Sequence, residues 1–463
     1  MRSAVLVYTI LAVLQRGLTL LLLPFVTRAM SVTEYGAVAV LATLSALLSA
    51  LLAGALEQAV FRWTVASQND SHGRSVVRVC FWWLSTCVPV ILFCTAIALW
   101  FADTQILQIS THLWAVEVAA VGLMAFVSSY ALPQARAEEA LRRFVVIATT
   151  SIISLLLGKW LFVIILGAGA AGWVLSDLIS AVLSFFVAMT LINASRGSVT
   201  RAAFLQVLRF ALPLVPHIIA FWALAALARP LLAMSMPLED VGIYSAAFSA
   251  ASVGTMLLAE VNRATVVAYA RDQFPAPSLR TGKVMRIQFL LAFHSAALIG
   301  LLSPAFTHWV LPPQYAGVLP LLLILSLAST FYGLYLIPIN FIVQTAGITT
   351  WSWIGSAAGA VVILLACTVG AAAGGLTVVV LGHVVGYAVM GLIALILIKK
   401  MRLQVDWARG GISLLRFAIL STGVTSILCA GLFTVGTIAY LGFSLLGVVT
   451  LFGVSLRVLR SSR

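Results

Sequence analysis

Residues 375–398 read GLTVVVLGHVVGYAVMGLIALILI, with no acidic residue and no basic one except His383. At about 1.5 Å per helical residue this run covers about 36 Å, which is enough to cross about 30 Å of bilayer hydrocarbon. The cations Lys399, Lys400 and Arg402 follow it directly. An apolar run of this length closed by basic residues is typical of a transmembrane helix that ends in the cytoplasm.

The composition of the whole chain agrees with this reading. Of its 463 residues, 62% are hydrophobic and only 9% are charged, and the mean hydropathy is +1.13. A soluble domain has about 25% charged residues, because its surface faces water. The sequence therefore predicts an all-α polytopic membrane protein without a sizeable soluble domain.

The same length criterion, applied along the chain, predicts about fourteen transmembrane helices. They are expected at residues 4–27, 36–61, 77–101, 113–132, 144–166, 171–192, 207–234, 241–268, 286–310, 317–343, 351–370, 375–398, 412–434 and 437–456. We expect two six-helix lobes, residues 1–195 and 196–400, followed by two additional helices within residues 401–463.

The positions of the basic residues predict the orientation of these helices. If the N-terminus is cytoplasmic, all but five of the 27 lysines and arginines fall in cytoplasmic segments. Of the five, Arg28 falls outside, whereas Arg16, Lys159, Arg229 and Arg263 lie within predicted spans. Lysine and arginine concentrate in the cytoplasmic loops of membrane proteins, so both termini are predicted to be cytoplasmic.

The net charge of +14 would also suit a nucleic-acid-binding protein. Such proteins carry their basic residues on one face or stripe, often with interleaved aromatic residues. Here the basic residues are distributed over short loops between apolar runs. The sequence therefore predicts that the protein associates with membrane lipid and does not bind nucleic acid.

A short internal repeat supports two lobes of the same orientation. Residues 30–36 (MSVTEYG) and residues 236–242 (MPLEDVG) each follow a predicted span, at an offset of just over 200 residues. Each lobe has an even number of helices, so the two copies would be related as parallel repeats.

Charged and strongly polar side chains inside the predicted spans or at their ends form the candidate site, because such side chains usually face a cavity or a partner. The candidates for binding an anionic substrate or lining a cavity are Gln15, Arg16, Lys159, Arg229 and Arg263. The candidates for coupling or ion pairing are Glu57, Arg62, Asp177, His217 and Glu260.

Arg16 is the most informative of these residues. It lies about 18 Å into the first predicted span, next to Gln15, so it cannot reach either interface by extending its side chain. A water-filled cavity or a bound anion would accommodate it. The alternative is that internal ion pairs, Arg16 with Glu57 or Lys159 with Asp177, serve stability alone.

Prolines mark a predicted helix break. Pro213 and Pro216 fall early in the span 207–234, and proline removes a backbone donor and clashes with the preceding turn. Broken helices line the cavities of many transporters, although a static kink would give the same pattern.

These motifs resemble those of the polysaccharide (O-antigen type, Wzx-like) flippases of the multidrug/oligosaccharidyl-lipid/polysaccharide (MOP) exporter superfamily. The similar stretches are LPFVTRAMSVTEYG at 23–36, EQAVFR at 57–62, LPLVPH at 212–217 and DVGIYSAA at 240–247. One departure concerns the seventh helix, where many members have an Asp-Arg pair and this chain has Ala228 before Arg229.

The resemblance implies alternating-access export of an undecaprenyl-diphosphate-linked oligosaccharide across a bacterial inner membrane, without ATP hydrolysis. It also implies a polysaccharide polymerase and chain-length machinery as possible partners. The alternatives are a lipid II flippase or a multidrug antiporter of the same superfamily and, more distantly, a membrane-embedded glycosyltransferase or polymerase.

Motifs of enzymes and of cofactor sites do not occur in the sequence. There is no GxxxxGK[ST] phosphate-binding loop, no HExxH and no GxSxG. The longest predicted outside loop, near residues 103–112, offers a single acid, Asp103. We therefore expect a protein that is not an enzyme and needs no cofactor or metal.

The predicted topology can be measured with reporter fusions. Fusions near Asp103 and Gly169 should report an external location, and fusions after Arg142 and Arg402 an internal one, because the basic loops are retained in the cytoplasm. An external signal after Arg402 would contradict the fourteen-helix topology.

Overall fold

The computed structural model describes residue 11 and residues 22–66, 71–192, 197–373 and 375–409. Within this part of the chain, eleven helices are long and apolar enough to cross a membrane. They are α1 (Val32–Val65), α2 (His72–Ala102), α3 (Thr111–Ala137), α4 (Leu141–Ile165), α5 (Gly169–Leu191), α6 (Arg201–Ala226), α7 (Leu238–Ala270), α8 (Leu279–Val310), α9 (Val318–Thr345), α10 (Ser352–Ala373) and α11 (Leu376–Lys400).

These helices correspond one to one with the predicted spans from 36–61 to 375–398, and the all-α polytopic fold is confirmed. Residues 22–29, at the end of the first predicted span, are also helical. Apart from residue 11, the rest of that span and the spans 412–434 and 437–456 lie outside the described residues, so the count of fourteen stays a prediction.

The region of Pro213 and Pro216 interrupts α6 without ending it. Helical residues Arg201–Ala211 pass into a 3₁₀ turn at Leu212–Leu214, and the α-helix resumes at Val215–Ala226. The change of hydrogen-bond pattern falls where proline removes a backbone donor. A separate short helix, Ala228–Ala233, follows α6.

A small hairpin lies between α2 and α3. Strands β1 (Gln105–Ile106) and β2 (Ile109–Ser110) pair antiparallel, and both residues of the turn between them have positive φ. The Gln108 side chain donates hydrogen bonds to the carbonyl oxygens of Ala233 and Met236, at 2.8 and 2.9 Å. The hairpin thereby satisfies the carbonyl of Ala233, the last residue of the short helix, and that of Met236 just beyond it.

The chain divides into two compact units, an N-terminal unit (Met1–Gly242) and a C-terminal unit (Ile243–Arg463). Helix α6 belongs to the N-terminal unit because it packs on α1: Trp222 Nε1 donates to the carbonyl oxygen of Thr43 at 3.0 Å, and the Phe210 and Trp63 rings lie 4.9 Å apart. The predicted boundary between the two six-helix lobes, between residues 195 and 196, divides the chain by its sequence repeat and not by compactness. It stays a prediction.

In the C-terminal unit a network of neutral side chains joins α7, α8 and α9. Asn262 Oδ1 accepts hydrogen bonds from Gln288 Nε2 at 2.9 Å and from Asn340 Nδ2 at 2.6 Å. The Tyr269 hydroxyl donates to Gln288 Oε1 at 2.5 Å. Gln288 and Asn340 are buried, and their mutual hydrogen bonds remove most of the cost of placing amides inside a membrane helix bundle.

The two copies of the sequence repeat meet at the starts of α1 and α7. A β-carbon on Gly36 would collide with the carbonyl oxygen of Leu238, and one on Gly242 would collide with the carbonyl oxygen of Val32. Gly36 and Val32 occupy the same repeat positions as Gly242 and Leu238, so the crossing is pseudo-symmetric. In the first copy, Ser31 and Glu34 also form a capping box at the start of α1.

The glycine crossing should be sensitive to a single methyl group. Gly36→Ala and Gly242→Ala should each lower stability by about 1–3 kcal/mol, because backbone atoms cannot move aside as a flexible side chain can. The thermal unfolding midpoint of the purified protein measures this. The control is Gly300→Ala, where the nearest atom is 3.9 Å from the added carbon. A fall in the midpoint of the Gly300 variant as large as that of the Gly36 variant would contradict close packing as the cause.

Candidate functional site

Helices α4 and α5 are held together by small polar side chains. Ser151 Oγ donates to Ser184 Oγ at 2.8 Å, and the hydroxyls of Ser154 and Ser180 lie 2.9 Å apart. Small residues allow helix backbones to approach closely, which is the main means of helix association where lipid replaces water. This close approach brings together the charged residues at the next turns of the two helices.

An ion pair between Lys159 and Asp177 lies along this contact. Lys159 Nζ is 3.2 Å from Asp177 Oδ1, and the two side chains are 6% and 22% exposed. The same ammonium group lies 3.3 Å from the centroid of the Trp173 ring, which gives it a cation–π contact on a second side. Lys159 is thus satisfied by a carboxylate and an aromatic ring of one helix.

A second carboxyl group lies near this pair. Glu117, on α3, is 6% exposed, and it interacts electrostatically with both Asp177 and Lys159. Ser45, on α1, is also close to it. Among the described residues neither Glu117 Oε2 nor Ser45 Oγ has a hydrogen-bond partner. The acid cluster (Glu117, Lys159 and Asp177) therefore contains two carboxyl groups and one ammonium group.

This balance of charges limits what the acid cluster can bind. With both carboxyl groups ionised its charge is −1, so it attracts cations or protons and repels a diphosphate. Lys159, one of the residues expected to contact an anionic substrate, is already paired and nearly inaccessible. Sequence analysis named a Lys159–Asp177 ion pair that serves stability as the alternative to substrate binding by Lys159.

The structure distributes the other expected site residues over separate places. Arg263 pairs with Glu260 at 2.6 Å in the C-terminal unit, with side chains 58% and 31% exposed. Arg62 is exposed and stacks on the Trp63 and Phe210 rings, each 5.7 Å from its guanidinium carbon. Such stacking is typical of an arginine at a membrane interface.

Five further expected residues remain, namely Gln15, Arg16, Glu57, His217 and Arg229. Arg229 is half-buried in the short helix Ala228–Ala233, and Glu57 is exposed on α1. Gln15 and Arg16 lie outside the described residues, so the expected pairing of Arg16 with Glu57 stays a prediction.

His217 lies on the helical segment Val215–Ala226 of α6, and only its backbone is described. Within residues 22–409, apart from the gaps already named, no three metal-ligating side chains come together.

Sequence reasoning did not single out Glu117. Its position near the start of the predicted span 113–132 was available as a signal, since an acid within an apolar run is costly unless it faces a partner. What the sequence could not supply was its neighbours, because Lys159 and Asp177 are distant in the chain and meet Glu117 only through the packing of α3, α4 and α5.

Comparison with solved structures identifies the class to which this fold belongs. The structure titled "Lipid II flippase MurJ, inward closed conformation" matches with a TM-score of 0.73 and 14% identity, covering 98% of this chain and 99% of that one. An inward-facing multidrug resistance MATE family transporter of the MOP superfamily matches with a TM-score of 0.66 and 14% identity, covering 84% and 95%. A eukaryotic MATE transporter matches with a TM-score of 0.51 and 15% identity, covering 90% and 95%.

The chain therefore has the fold of MOP superfamily transporters, in agreement with the superfamily that the sequence motifs resemble. No protein-family model matches the sequence, and no curated protein matches it. At 14% identity the structural likeness shows the fold of this chain and does not identify its substrate.

Removing one member of the buried ion pair should be costly. Lys159→Met should lower stability by about 3–5 kcal/mol, because it leaves buried carboxyl groups without a counterion. The double variant Lys159→Met with Asp177→Leu should recover most of that loss. The thermal unfolding midpoint in one detergent measures both variants.

The matched control is Arg263→Gln, which breaks an exposed ion pair and should cost at most about 1 kcal/mol. Equal losses of stability in the Lys159 and Arg263 variants would show that burial does not determine how much the Lys159–Asp177 pair contributes to stability.

Proposed function

We propose that this protein is a flippase that moves an undecaprenyl-diphosphate-linked oligosaccharide from the cytoplasmic to the outer leaflet of a bacterial inner membrane. The observation that carries the proposal is the full-length likeness to a lipid II flippase, 98% of this chain on 99% of that one. The Wzx-like motifs of the sequence support a lipid-linked saccharide as the substrate class. The flipped lipid would then be available to a polysaccharide polymerase and its chain-length machinery.

Lipid II and an O-antigen precursor share the chemistry that such a site must recognise. Both present a diphosphate between a polyisoprenyl chain and a sugar. A diphosphate inside a low-dielectric cavity needs cations, and arginine binds phosphate oxygens through two parallel hydrogen bonds. The residues that contact the sugar would distinguish the two substrates.

Arg16 and Arg229 are the cations that we propose for the diphosphate. Lys159 and Arg263, which the sequence also offered as cavity residues, form ion pairs with Asp177 and Glu260. Arg229 lies directly after α6, in a short helix that has Pro230 at its third position. Helix ends adjoining irregular backbone are where transporters commonly place substrate groups.

Export of an anion needs no ATP if the membrane potential contributes. With the cytoplasm negative, outward movement of each negative charge is favoured by about 2.3 kcal/mol per 100 mV. The sequence contains no phosphate-binding loop that would supply ATP hydrolysis instead.

A multidrug antiporter is the second candidate, and one observation favours it. The N-terminal unit contains Glu117 and Asp177 inside its helices, and carboxylates suit the binding of cationic drugs. Lys159 neutralises one of them, however, and Glu117 is buried among helices. The flippase is therefore the better-supported proposal.

Flipping can be measured in liposomes that contain the purified protein. We expect translocation of a fluorescent undecaprenyl-diphosphate-linked oligosaccharide, tested in parallel with lipid II and with the cationic dye ethidium. Transport of lipid II alone would identify lipid II as the lipid-linked substrate in place of the oligosaccharide. Transport of ethidium alone would contradict the flippase proposal and support the antiporter.

The same assay tests Arg229. Arg229→Ala should reduce flipping at least about tenfold, because one charge-assisted contact to a phosphate contributes about 1.5–3 kcal/mol. Arg229→Lys should recover part of the rate, since lysine keeps the charge but loses the bidentate geometry. The control is Arg143→Gln, which breaks a partly exposed pair with Glu138 at 2.9 Å and should leave flipping unchanged.

A further inference from the structure

We propose that a cavity at the end of α11 binds the phosphate group of an anionic glycerophospholipid, with Lys399 as the cationic contact. The cavity has a volume of about 610 Å³, and all the residues that line it belong to the C-terminal unit. Its lining includes the apolar side chains of Leu395 and Ile398 and the polar groups of Lys399, Gln404 and Asp406. The inference goes beyond the proposed flippase and does not depend on it.

The chain that follows α11 builds one wall of this cavity. Arg402 has a positive φ of 53°, and its amide donates to the carbonyl oxygen of Lys399 at 3.1 Å. The amide of Leu403 donates to the carbonyl oxygen of Ile398 at 3.0 Å. These two hydrogen bonds form a Schellman turn, which satisfies the last carbonyl groups of a helix and redirects the chain. Residues 403–407 therefore lie beside the end of α11, and all five line the cavity.

Contacts with other parts of the C-terminal unit hold this wall in place. Val405 pairs with Ala276, in the connection between α7 and α8, as a parallel bridge. The amide of Asp406 donates to the carbonyl oxygen of Ala276. The Trp407 ring packs edge-on against the Phe341 ring of α9, with their centroids 6.0 Å apart. The cavity is thus part of the packed fold of the C-terminal unit.

The charges at this end of the C-terminal unit favour an anion. Residues 271–286 and 399–409 contain eight lysines and arginines and only two acids. Asp272 accepts a hydrogen bond from the amide of Ser278 at 2.8 Å, and Asp406 forms an ion pair with Arg409 at 3.1 Å. Lys399 forms no ion pair with any residue of the described chain. The cavity therefore offers an ammonium group that attracts an anion.

The position of the cavity indicates that lipid supplies this anion. Leu395 lines the cavity, and it is exposed on a membrane-spanning helix, as are its neighbours Leu392 and Ile396. Lys399 lies one turn beyond Leu395, where the apolar run ends. A glycerophospholipid would place its acyl chains beside Leu395 and its phosphate beside Lys399. Trp407 lies in the same lining, and tryptophan is common at the level of the headgroups.

An anionic lipid fits these charges better than a zwitterionic lipid or a soluble phosphate does. The choline of phosphatidylcholine would bring another cation to an end of the unit that already has an excess of cations, whereas phosphatidylglycerol has a net charge of −1. Basic pockets on the cytoplasmic side of membrane proteins bind anionic headgroups, and the sequence predicts that α11 ends in the cytoplasm. A soluble phosphate would leave the apolar part of the cavity unfilled.

Native mass spectrometry of the purified full-length protein, titrated with phosphatidylglycerol, tests the proposal. We expect Lys399→Gln to raise the dissociation constant of the first bound lipid at least about fivefold, because it removes the cationic contact. The matched control is Lys400→Gln, which removes an exposed cation that does not line the cavity and should change the constant less than about twofold. A second variant, Leu395→Trp, narrows the cavity without changing its charge and should also weaken binding.

Four results would overturn the proposal. Equal weakening by Lys399→Gln and Lys400→Gln would show a diffuse attraction of charge, and unchanged affinity in Leu395→Trp would show that the cavity is not occupied. Phosphatidylcholine that binds as tightly as phosphatidylglycerol would exclude recognition of the anionic headgroup. Displacement of the lipid by glycerol 3-phosphate would identify a soluble phosphate as the ligand. None of these measurements involves transport, so a failed flippase assay and a failed lipid site are distinguishable.

Discussion

Lipid does not hydrate charge, and this constraint explains where the polar groups of the molecule lie. Inside the membrane each polar group needs a partner from another part of the chain. Lys159 meets that requirement with Asp177 and Trp173, and Asn262 meets it with Gln288 and Asn340. These contacts each link different turns or different helices, so satisfying a polar group also fixes how the helices pack.

Close approach of backbones supplies the other part of the packing. Since lipid tails are as apolar as leucine, helices in a membrane associate through van der Waals contact and hydrogen bonds more than through the hydrophobic effect. The serine contacts between α4 and α5 and the crossing at Gly36 and Gly242 both depend on small residues. The Glu-Tyr-Gly motif is explained in the same terms, because Glu34 caps α1 and Gly36 permits the crossing.

The two units differ in the kind of polar group they bury. The N-terminal unit buries charged groups, namely the Lys159–Asp177 ion pair and the nearby Glu117. The C-terminal unit joins α7, α8 and α9 through neutral amides, whereas its Glu260–Arg263 pair is largely exposed.

The sequence by itself determined the helices of the described chain, because length and hydropathy are local properties and lipid imposes them on each segment separately. It also singled out Lys159 and Asp177, since a charge in an apolar run is visible without any neighbour. Tertiary structure alone decided which charges on different helices meet: it paired Lys159 of α4 with Asp177 of α5 and buried Glu117 of α3 near them. The contact between Arg263 and Glu260 is local, because residues three apart in a helix are neighbours. Pairing depends on the relative positions of helices far apart in the chain, and hydropathy carries no information about those positions.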